Sequence, residues 1–502
     1  MSIIYDSFCA DFSRRAFLRG GGAFLVAAGT GFKTFGAGKD LRLKFGVLSD
    51  IHITEKPNSC DILEKAFLRF RKSNVDAVVI AGDLADHGFI PELLRVGETW
   101  RKVFPGNRRE DGGVVEKVFV TGNHDIDAWH YRGPKKRGIT REKNGDIILE
   151  FHLADAWRKA FDEEYSPLYI KTIKGYPFVG VNYDKEGSYL KPDVISSFLE
   201  GHRKTLEGDK PFFYVQHYHP KGTCSAPWVW GQDAGYSTAA LSKFPNAVAF
   251  SGHSHTPLTD DRTLWRGNFT SIGAASLRYL YPFGGRENSC VCGEMEKWCK
   301  DQMPVVIKET SHQGQIVSVY DDCMVIERID FKHNLPAAPD WIVPVPAVAS
   351  SFEERAKKAG VPKFAADAKV KVERINGETR NKKKLEQFVV SFPNIRPNGK
   401  GVRPFDFRVE VEAMNVDRSC IWATKRVYSP HFCWAAKKDA PTVICVFACS
   451  DLPRENCVPD ERGRRFRFVV SPANSFGVHG PAIRSAWITG SYGIKSKPDA
   501  SK

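Results

Sequence analysis

The chain has 502 residues, of which 42% are hydrophobic and 12% are aromatic. This length is too great for a single hydrophobic core, so about two or three domains are expected, and the aromatic content excludes a chain that is disordered throughout. The formal net charge of +14 favours anionic partners. Because no long Lys/Arg tract with interleaved aromatic residues occurs, we expect small phosphorylated substrates and no dedicated nucleic-acid partner.

Residues 1–38 have the composition of a targeting segment. The pair Arg14-Arg15 precedes a short Gly/Ala-rich apolar stretch at 20–31, and small residues at 36–38 offer a cleavage site. This pattern resembles a twin-arginine export signal, which implies passage through the twin-arginine export machinery to the periplasm or the cell envelope. A basic, frayed terminus is the alternative. No other window holds the roughly 18 apolar residues that a membrane-spanning helix needs, so we expect no transmembrane segment in the mature chain.

Residues 40–334 alternate predicted strands with predicted helices. Apolar residues at helical spacing over 61–73 separate the first two strands. This alternation predicts an α/β layered domain with functional residues at the carboxyl ends of its strands. Five apolar, β-rich runs in this region each lead directly into residues of metal-ligand type. The runs are 43–48, 77–80, 118–120, 212–215 and 247–250.

The blocks that follow these five runs contain seven residues suited to metal binding. The five blocks are Asp50-Ile51-His52, Gly82-Asp83-Leu84-Ala85-Asp86, Gly122-Asn123-His124-Asp125, His217 and Gly252-His253-Ser254-His255. Imidazole and carboxylate mixed in one site suit Fe, Mn, Zn or Co better than Ca or Mg, which prefer oxygen ligands. The blocks therefore predict a site for two transition-metal ions that hydrolyses phosphate esters.

In this order the blocks resemble the calcineurin-like metallophosphoesterases, over about residues 44–332. The resemblance implies a layered β-sandwich flanked by helices. It also implies a hydroxide that bridges the two metals and attacks phosphorus in line. The ligand set that it implies has Asp50, His52 and His255 on one metal, Asn123, His217 and His253 on the other, and Asp83 as the bridge.

The same resemblance assigns catalytic roles to His124 and Asp86. His124 would donate a proton or a hydrogen bond to the leaving alkoxide, and the carboxylate of Asp86 would orient His124. The alternative makes Asp86 a turn residue. His217 and His219 both follow the fourth strand, and we prefer His217 as the ligand because it ends the apolar run directly. Purple acid phosphatases carry a tyrosine ligand at the position of Asp86, so no Fe(III)-tyrosinate is expected.

Two features bear on the substrate. The basic run Lys135, Lys136 and Arg137 follows the third block and is a candidate substrate-binding segment, although a solvated charge run is the alternative. The form of residues 82–88 is similar to bacterial phosphodiesterases of the cyclic-nucleotide and glycerophosphodiester type, which favours a phosphodiester over a phosphomonoester. A different class, an exported envelope- or glycan-binding protein with an inactive phosphoesterase scaffold, is disfavoured because no ligand is missing.

Cys290, Cys292 and Cys299 form the one cysteine cluster of the sequence. Structural zinc usually needs two Cys-x-x-Cys-like pairs, and this trio is irregular. We therefore expect a surface disulfide or plain thiols there and no zinc.

The remainder of the chain is predicted to be a linker and a second domain. Residues 335–365 are rich in proline, which cannot continue a helix or a central strand, so we predict a linker there. Six short β-rich runs follow within 366–492 and indicate an all-β sandwich, whose last strands resemble a fibronectin type III-like module. We expect this domain to serve in interaction or packing. Residues 493–502 are predicted to be a tail.

Overall fold

The computed structural model describes residues 40–131, 147–183, 192–224, 231–280, 307–308, 312–378, 384–397, 402–415, 418–429, 432–433, 442–448, 452 and 465–488. The predicted export signal, the basic run 135–137, the cysteine cluster at 290, 292 and 299, and the tail 493–502 lie outside these residues. Helices occur mainly in the first part of the described chain. They are α1 (Asp61–Lys72), α2 (Ile90–Val103), α3 (Asn123–Ile126), α4 (Ala128–Tyr131), α5 (Leu153–Phe161), α6 (Pro192–Gly201), α7 (Arg203–Leu206), α8 (Tyr236–Leu241) and α9 (Phe352–Lys358).

Two six-stranded sheets and one small pair of strands build the first part of the chain. Their strands are β1 (Leu43–Leu48), β2 (Ala77–Ala81), β3 (Glu116–Val120), β4 (Leu168–Ile173), β5 (Tyr176–Val181), β6 (Phe212–Val215), β7 (Ala247–Ser251), β8 (Leu264–Arg266), β9 (Thr270–Gly273), β10 (Tyr279–Leu280), β11 (Ile307–Lys308), β12 (Gln313–Val319), β13 (Cys323–Asp330) and β14 (Leu335–Pro344). The strand orders are β14-β13-β12-β1-β2-β3 and β4-β5-β6-β7-β9-β8. Strands β1 to β3 are parallel to one another, as are β5, β6, β7 and β9.

The two large sheets pack face to face around an aromatic core. The ring of Phe45 in β1 lies 5.3 Å from Phe178, 4.7 Å from Phe213 and 5.7 Å from Phe250, all of which belong to the opposite sheet. Tilted and edge-to-face pairs at these centroid distances are favourable beyond the area that they bury. The core between the sheets therefore fixes how the loops of one sheet face the loops of the other.

Helices cover the outer faces of both sheets, which explains why the strand sequences are apolar along their whole length. In β2, Ala77 and Val79 point into the core between the sheets, whereas Val78 and Ile80 point toward the helices. Residues of α1, α2 and α5 belong to the outer core of the first sheet, and residues of α6 and α8 to that of the second. This arrangement of mixed sheets with helices agrees with the predicted layered α/β domain.

The first ten residues of the predicted linker are a strand. Leu335–Pro344 forms β14, which pairs antiparallel with β13 at the edge of the first sheet. Proline is tolerated at an edge because the outward side of an edge strand has no neighbouring strand that would need its N–H as a hydrogen-bond donor. The prediction of a linker from residue 335 onward was wrong here, since proline excludes a central strand and not an edge strand.

The C-terminal part consists of a three-stranded and a four-stranded sheet that share one core. The strands are β15 (Lys371–Glu378), β16 (Lys384–Pro393), β17 (Asp406–Asn415), β18 (Arg418–Tyr428), β19 (Thr442–Ala448), β20 (Arg465–Ala473) and β21 (Ile483–Arg484), in the orders β15-β16-β19 and β18-β17-β20-β21. Phe388 and Phe447 of one sheet and Phe407 and Phe468 of the other are buried together. This packing is that of a β-sandwich, while the likeness to fibronectin type III modules stays a prediction.

Among the described residues, no helix is both long enough and apolar enough to cross a membrane.

Candidate metal centre

The seven predicted ligands follow the carboxyl ends of β1, β2, β3, β6 and β7, with Asn123 as the first residue of α3, and each is at most 9% exposed. Five of them have a left-handed backbone. Their φ angles are 50° at Asp50, 45° at His52, 54° at Asp83, 65° at His253 and 53° at His255. For residues other than glycine, this backbone conformation costs roughly 1–2 kcal/mol each. Such strain persists only where surrounding contacts impose it, and it is typical of functional sites.

Asp50, His52 and His255 form a first group, whose ligand atoms meet at one point. Nε2 of His255 lies 2.9 Å from Oδ1 of Asp50 and 3.3 Å from Nε2 of His52. Oδ1 of Asp50 is buried and accepts no well-aligned hydrogen bond from the described residues. An unsatisfied buried carboxylate oxygen that faces two imidazole nitrogens fits a cation.

Asn123, His217 and His253 form a second group with the same character. Nε2 of His217 lies 3.1 Å from Oδ1 of Asn123 and 3.1 Å from Nδ1 of His253. Asp83 joins the groups, because its Oδ2 lies 3.2 Å from Nε2 of His217 and 3.6 Å from Nε2 of His52. The other oxygen of Asp83 accepts a hydrogen bond of 2.8 Å from the backbone N–H of His124. Asp83 therefore lies where a carboxylate can bridge two ions.

Backbone carbonyls fix the imidazole rings in the orientation that metal binding needs. Nδ1 of His217 is 2.8 Å from the carbonyl of Ala81, and Nδ1 of His255 is 2.9 Å from the carbonyl of Tyr279. A carbonyl can only accept, so each Nδ1 carries a proton and each Nε2 is the ring atom left to bind a metal ion.

Charges at the centre favour a bound cation. Burial lowers the pKa of His217, but the carboxylates of Asp83 and Asp50 outweigh it and raise this pKa to about 9. Burial raises the pKa of Asp50, yet His255 and His217 together hold it below the usual range of a carboxyl. Burial and the neighbouring His217 hold the pKa of His253 well below its ordinary value, so this ring is neutral and able to act as a ligand.

Two glycines of the ligand blocks allow the loops to approach each other. A Cβ on Gly122 would overlap Oδ1 of Asp83, and a Cβ on Gly252 would overlap the side chains of Ser49 and Asp50. The glycines are therefore needed for close packing around the carboxylates.

The structure places Asp86 differently from its predicted role. Nδ1 of His124 is 2.8 Å from the backbone carbonyl of Asp86, whereas the Asp86 carboxylate is 3.8 Å from that atom. The carboxylate lies closer to Nδ1 of His52, at 3.1 Å. The carbonyl of Asp86, and not its carboxylate, is thus the nearer acceptor for His124, and spacing along the chain does not tell which of the two faces a neighbour.

His219, the alternative ligand, points away from the centre. Its ring lies between two hydroxyl groups, 2.7 Å from Oγ of Ser251 and 2.7 Å from Oγ of Ser254. Burial lowers the pKa of His219 to about 4, so the ring is neutral. It is His217 that the fold brings among the other six ligand side chains.

Asp125 is a supporting residue that sequence reasoning did not single out. Its carboxylate accepts hydrogen bonds from the N–H groups of Ala85 at 2.7 Å, Gly122 at 2.7 Å and Leu84 at 3.2 Å. It thereby ties the loop after β2 to the loop after β3. Burial and the nearby Asp83 carboxylate raise the pKa of Asp125 to about 7. In the sequence, only its position directly after His124 indicated this supporting role.

Three groups of titratable side chains in the described part of the chain are spaced closely enough to hold a metal ion. They are Asp50 with His52 and His255, Asp83 with His217 and His253, and His52 with Asp86 and His124. The first two are the groups that the sequence predicts, apart from the neutral Asn123. The side chains present therefore fit two metal ions of the imidazole-binding class.

Comparisons with known proteins agree with this geometry at the level of a family. Residues 43–257 match the sequence model of the family described as calcineurin-like phosphoesterase. No curated protein matches the chain. Among solved structures, the chain is similar to a dimetal phosphatase from Danio rerio, with 14% identity over 61% of this chain and 100% of that one at a TM-score of 0.35. It is also similar to a purple acid phosphatase from yellow lupin (Lupinus luteus) seeds, with 13% identity over 60% of this chain and 53% of that one at a TM-score of 0.37.

These two likenesses are too distant to carry an argument about activity. The family match and the clustered His and Asp side chains do not depend on them. The chain therefore contains a calcineurin-like phosphoesterase domain with metal-binding groups that suggest two metal ions.

Proposed function

We propose that this domain hydrolyses phosphate esters, with a phosphodiester as the preferred substrate, and that two transition-metal ions act at its centre. The observation that carries the proposal is the position of Asp83, whose Oδ2 lies between Nε2 of His217 and Nε2 of His52. A carboxylate in that place can serve both ligand groups at once. Two ions bound there would supply a water of lowered pKa for in-line attack on phosphorus.

The neutral side chain of Asn123 sets the charge of the centre. The seven ligands include only two carboxylates, Asp50 and Asp83, so two divalent or trivalent ions would leave surplus positive charge. A phosphoryl group would be attracted to that charge, which would also stabilise the negative charge that grows on its oxygens in the transition state.

His124 is suited to assist the leaving group. Its Nδ1 is held by the carbonyl of Asp86, so Nε2 is the ring atom that can hold or release a proton. His124 is 8% exposed and its ring centroid lies 4.4 Å from that of His52, beside the first ligand group. Protonation or hydrogen bonding of the departing alkoxide by such a group speeds ester cleavage.

The preference for a diester rests on the likeness of residues 82–88 to bacterial phosphodiesterases, and a phosphomonoester is the alternative substrate. The test measures metal content by mass spectrometry together with hydrolysis of bis(p-nitrophenyl) phosphate and p-nitrophenyl phosphate. We expect about two ions per chain and faster turnover of the diester. Faster turnover of the monoester would reverse the preference.

A matched pair of variants separates catalysis from folding. Asp83→Ala should abolish turnover while the chain stays folded, whereas His202→Ala, which removes an exposed histidine directly after α6, should leave turnover unchanged. Unchanged activity in Asp83→Ala would refute the site. A protein that binds two ions and cleaves neither ester would instead favour the inactive scaffold of an envelope- or glycan-binding protein.

We further propose that the protein is exported through residues 1–38. Support comes from the pair Arg14-Arg15 ahead of the apolar stretch. Replacement of both arginines by lysine should trap the protein in the cytoplasm, as measured by cell fractionation. Equal export of that variant would contradict the twin-arginine route.

A further inference from the structure

The side chain of Gln313 joins the loop of His253 and His255 to the C-terminal part of the chain. Gln313 is the first residue of β12 and is fully buried. Its Oε1 accepts a hydrogen bond of 2.7 Å from the N–H of Leu258, and its Nε2 donates one of 2.9 Å to the carbonyl of Cys433. The amide orientation is unambiguous, because a backbone N–H needs an acceptor and a carbonyl needs a donor.

Leu258 lies three positions after His255, and both its backbone and its side chain make buried contacts. Its carbonyl accepts a hydrogen bond of 2.8 Å from Nη1 of Arg328. Its side chain is buried in a hydrophobic cluster that also contains Phe405, Phe432 and Cys433. Side chains of β12 and β13 thus bind both polar backbone groups of Leu258, and Gln313 connects one of them to Cys433.

Arg403 fixes the C-terminal side of this boundary. Its Nη1 donates to the carbonyl of Phe432 at 3.1 Å, and its Nη2 donates to the carbonyl of Ala337 in β14 at 2.8 Å. Gln313 and Arg403 therefore bind two consecutive carbonyls, those of Cys433 and Phe432. A shift of residues 432–433 would therefore change the hydrogen bonds of both side chains.

The backbone of Gln313 also leads to Asp50. Its N–H donates to the carbonyl of Ser276 at 3.0 Å, and Oγ of Ser276 donates to the carbonyl of Asp50 at 3.1 Å. Three residues farther on, the carbonyl of Tyr279 holds Nδ1 of His255. Asp50 and His255, both from the first ligand group, are therefore linked to Gln313 by short chains of hydrogen bonds.

The second ligand group has other supports. Nδ1 of His217 is bound by the carbonyl of Ala81, and Asp83 is bound by the N–H of His124. Ala81 is the last residue of β2, and His124 belongs to α3. None of these hydrogen bonds includes Gln313 or Arg403.

We propose that Gln313 and Arg403 are positioning residues through which the C-terminal sheets hold Asp50 and His255 in place for the first metal ion. The inference rests on the proposed function only in that both ligand groups bind metal. Residues behind a ligand commonly change metal affinity by about 10-fold to 100-fold when they are replaced. The C-terminal part would then help to set the geometry of the metal centre.

The test is a calorimetric titration of the metal-free full chain with Zn²⁺, fitted to two sites. Gln313→Leu and Arg403→Met should each weaken one site by about 10-fold to 100-fold. The other site should weaken less, because it shares the loop of His253 but keeps the separate support of His217. The double variant should be no weaker than the weaker single variant, because both act through the segment 432–433. Asn474→Ala is the control, since it removes hydrogen bonds to the carbonyl of Gly360 and from the N–H of Val478, neither of which includes Leu258. It should leave both affinities unchanged.

Equal weakening of both sites, or unchanged affinities in folded Gln313→Leu and Arg403→Met, would overturn the inference while leaving the proposed function intact. Failure of the unaltered protein to bind Zn²⁺ would overturn the proposed function itself. If Gln313→Leu does not fold, Gln313→Glu keeps an acceptor for the N–H of Leu258 and loses the amide donor to Cys433. A selective loss at one site in that variant supports the inference, and unchanged binding contradicts it.

Discussion

The carboxylate of Asp86 lies 3.1 Å from Nδ1 of His52, while the carbonyl of the same residue lies 2.8 Å from Nδ1 of His124. One residue thus supports a predicted metal ligand with its side chain and the predicted proton donor with its backbone. A carboxylate behind a metal-binding imidazole fixes the ring and raises its basicity. Removal of the Asp86 side chain should therefore act on metal binding before it acts on proton transfer.

Asp86→Ala should lower the affinity of one metal site by about 10-fold to 100-fold, because the carboxylate 3.1 Å from Nδ1 of His52 is lost. At saturating metal, the rate should recover most of its original value, since the carbonyl that holds His124 is still present. The measurement is the rate of diester cleavage as a function of metal concentration. A rate that stays low at all metal concentrations would instead indicate that the Asp86 side chain orients His124.

His124→Ala should show the opposite pattern. Its imidazole belongs to neither of the two predicted ligand groups, so about two ions per chain should remain bound. The rate should fall by about 10²–10⁴, the range that loss of a general acid or base usually produces. Metal analysis and initial rates on one preparation test both statements. Loss of metal together with the rate would make His124 a ligand.

His217→Ala and His219→Ala form a pair that separates ligand from support. His217→Ala should lose one of the two ions, because Nε2 of His217 meets Asn123, Asp83 and His253. His219→Ala should keep both ions and lower the free energy of unfolding by about 1–3 kcal/mol, since two buried hydroxyl groups lose a partner. Denaturant unfolding and metal analysis distinguish the two. Loss of an ion in folded His219→Ala would make the second histidine the ligand.

Asp125→Ala should destabilise the protein strongly, because the N–H groups of Leu84, Ala85 and Gly122 would lose a buried acceptor. The free energy of unfolding should fall by about 2–4 kcal/mol, measured by chemical denaturation. Asp111→Ala is a matched control, since Asp111 also accepts a backbone N–H, that of Gly113, but its side chain is 47% exposed. That variant should lose much less stability, because water replaces the lost acceptor at an exposed site. Equal losses in the two variants would show that Asp125 does not brace the two loops.

The strands that carry the ligands were predictable, and the edge strands β14 and β18 were not. Predicted runs 43–48 and 212–215 coincide with β1 and β6, because central parallel strands are buried on both faces and read as continuous apolar segments. The edge strand β14 contains three prolines, and the edge strand β18 is mostly exposed and polar. Edge strands need only one buried face and one hydrogen-bonded side, so their sequences resemble loops.

The sequence by itself determined which side chains can bind metal and that each follows a buried strand, because both properties are local. Which atoms meet was decided by tertiary structure alone. The N–H of His253 reaches Oδ2 of Asp50 across 203 positions, and Gln313 reaches Cys433 across 120. Contacts of this kind depend on how two sheets and a second domain pack, and no short pattern of residues encodes that packing. For the same reason the spacing of Asp86 suggested His124 as its partner, and only the fold placed its carboxylate behind His52.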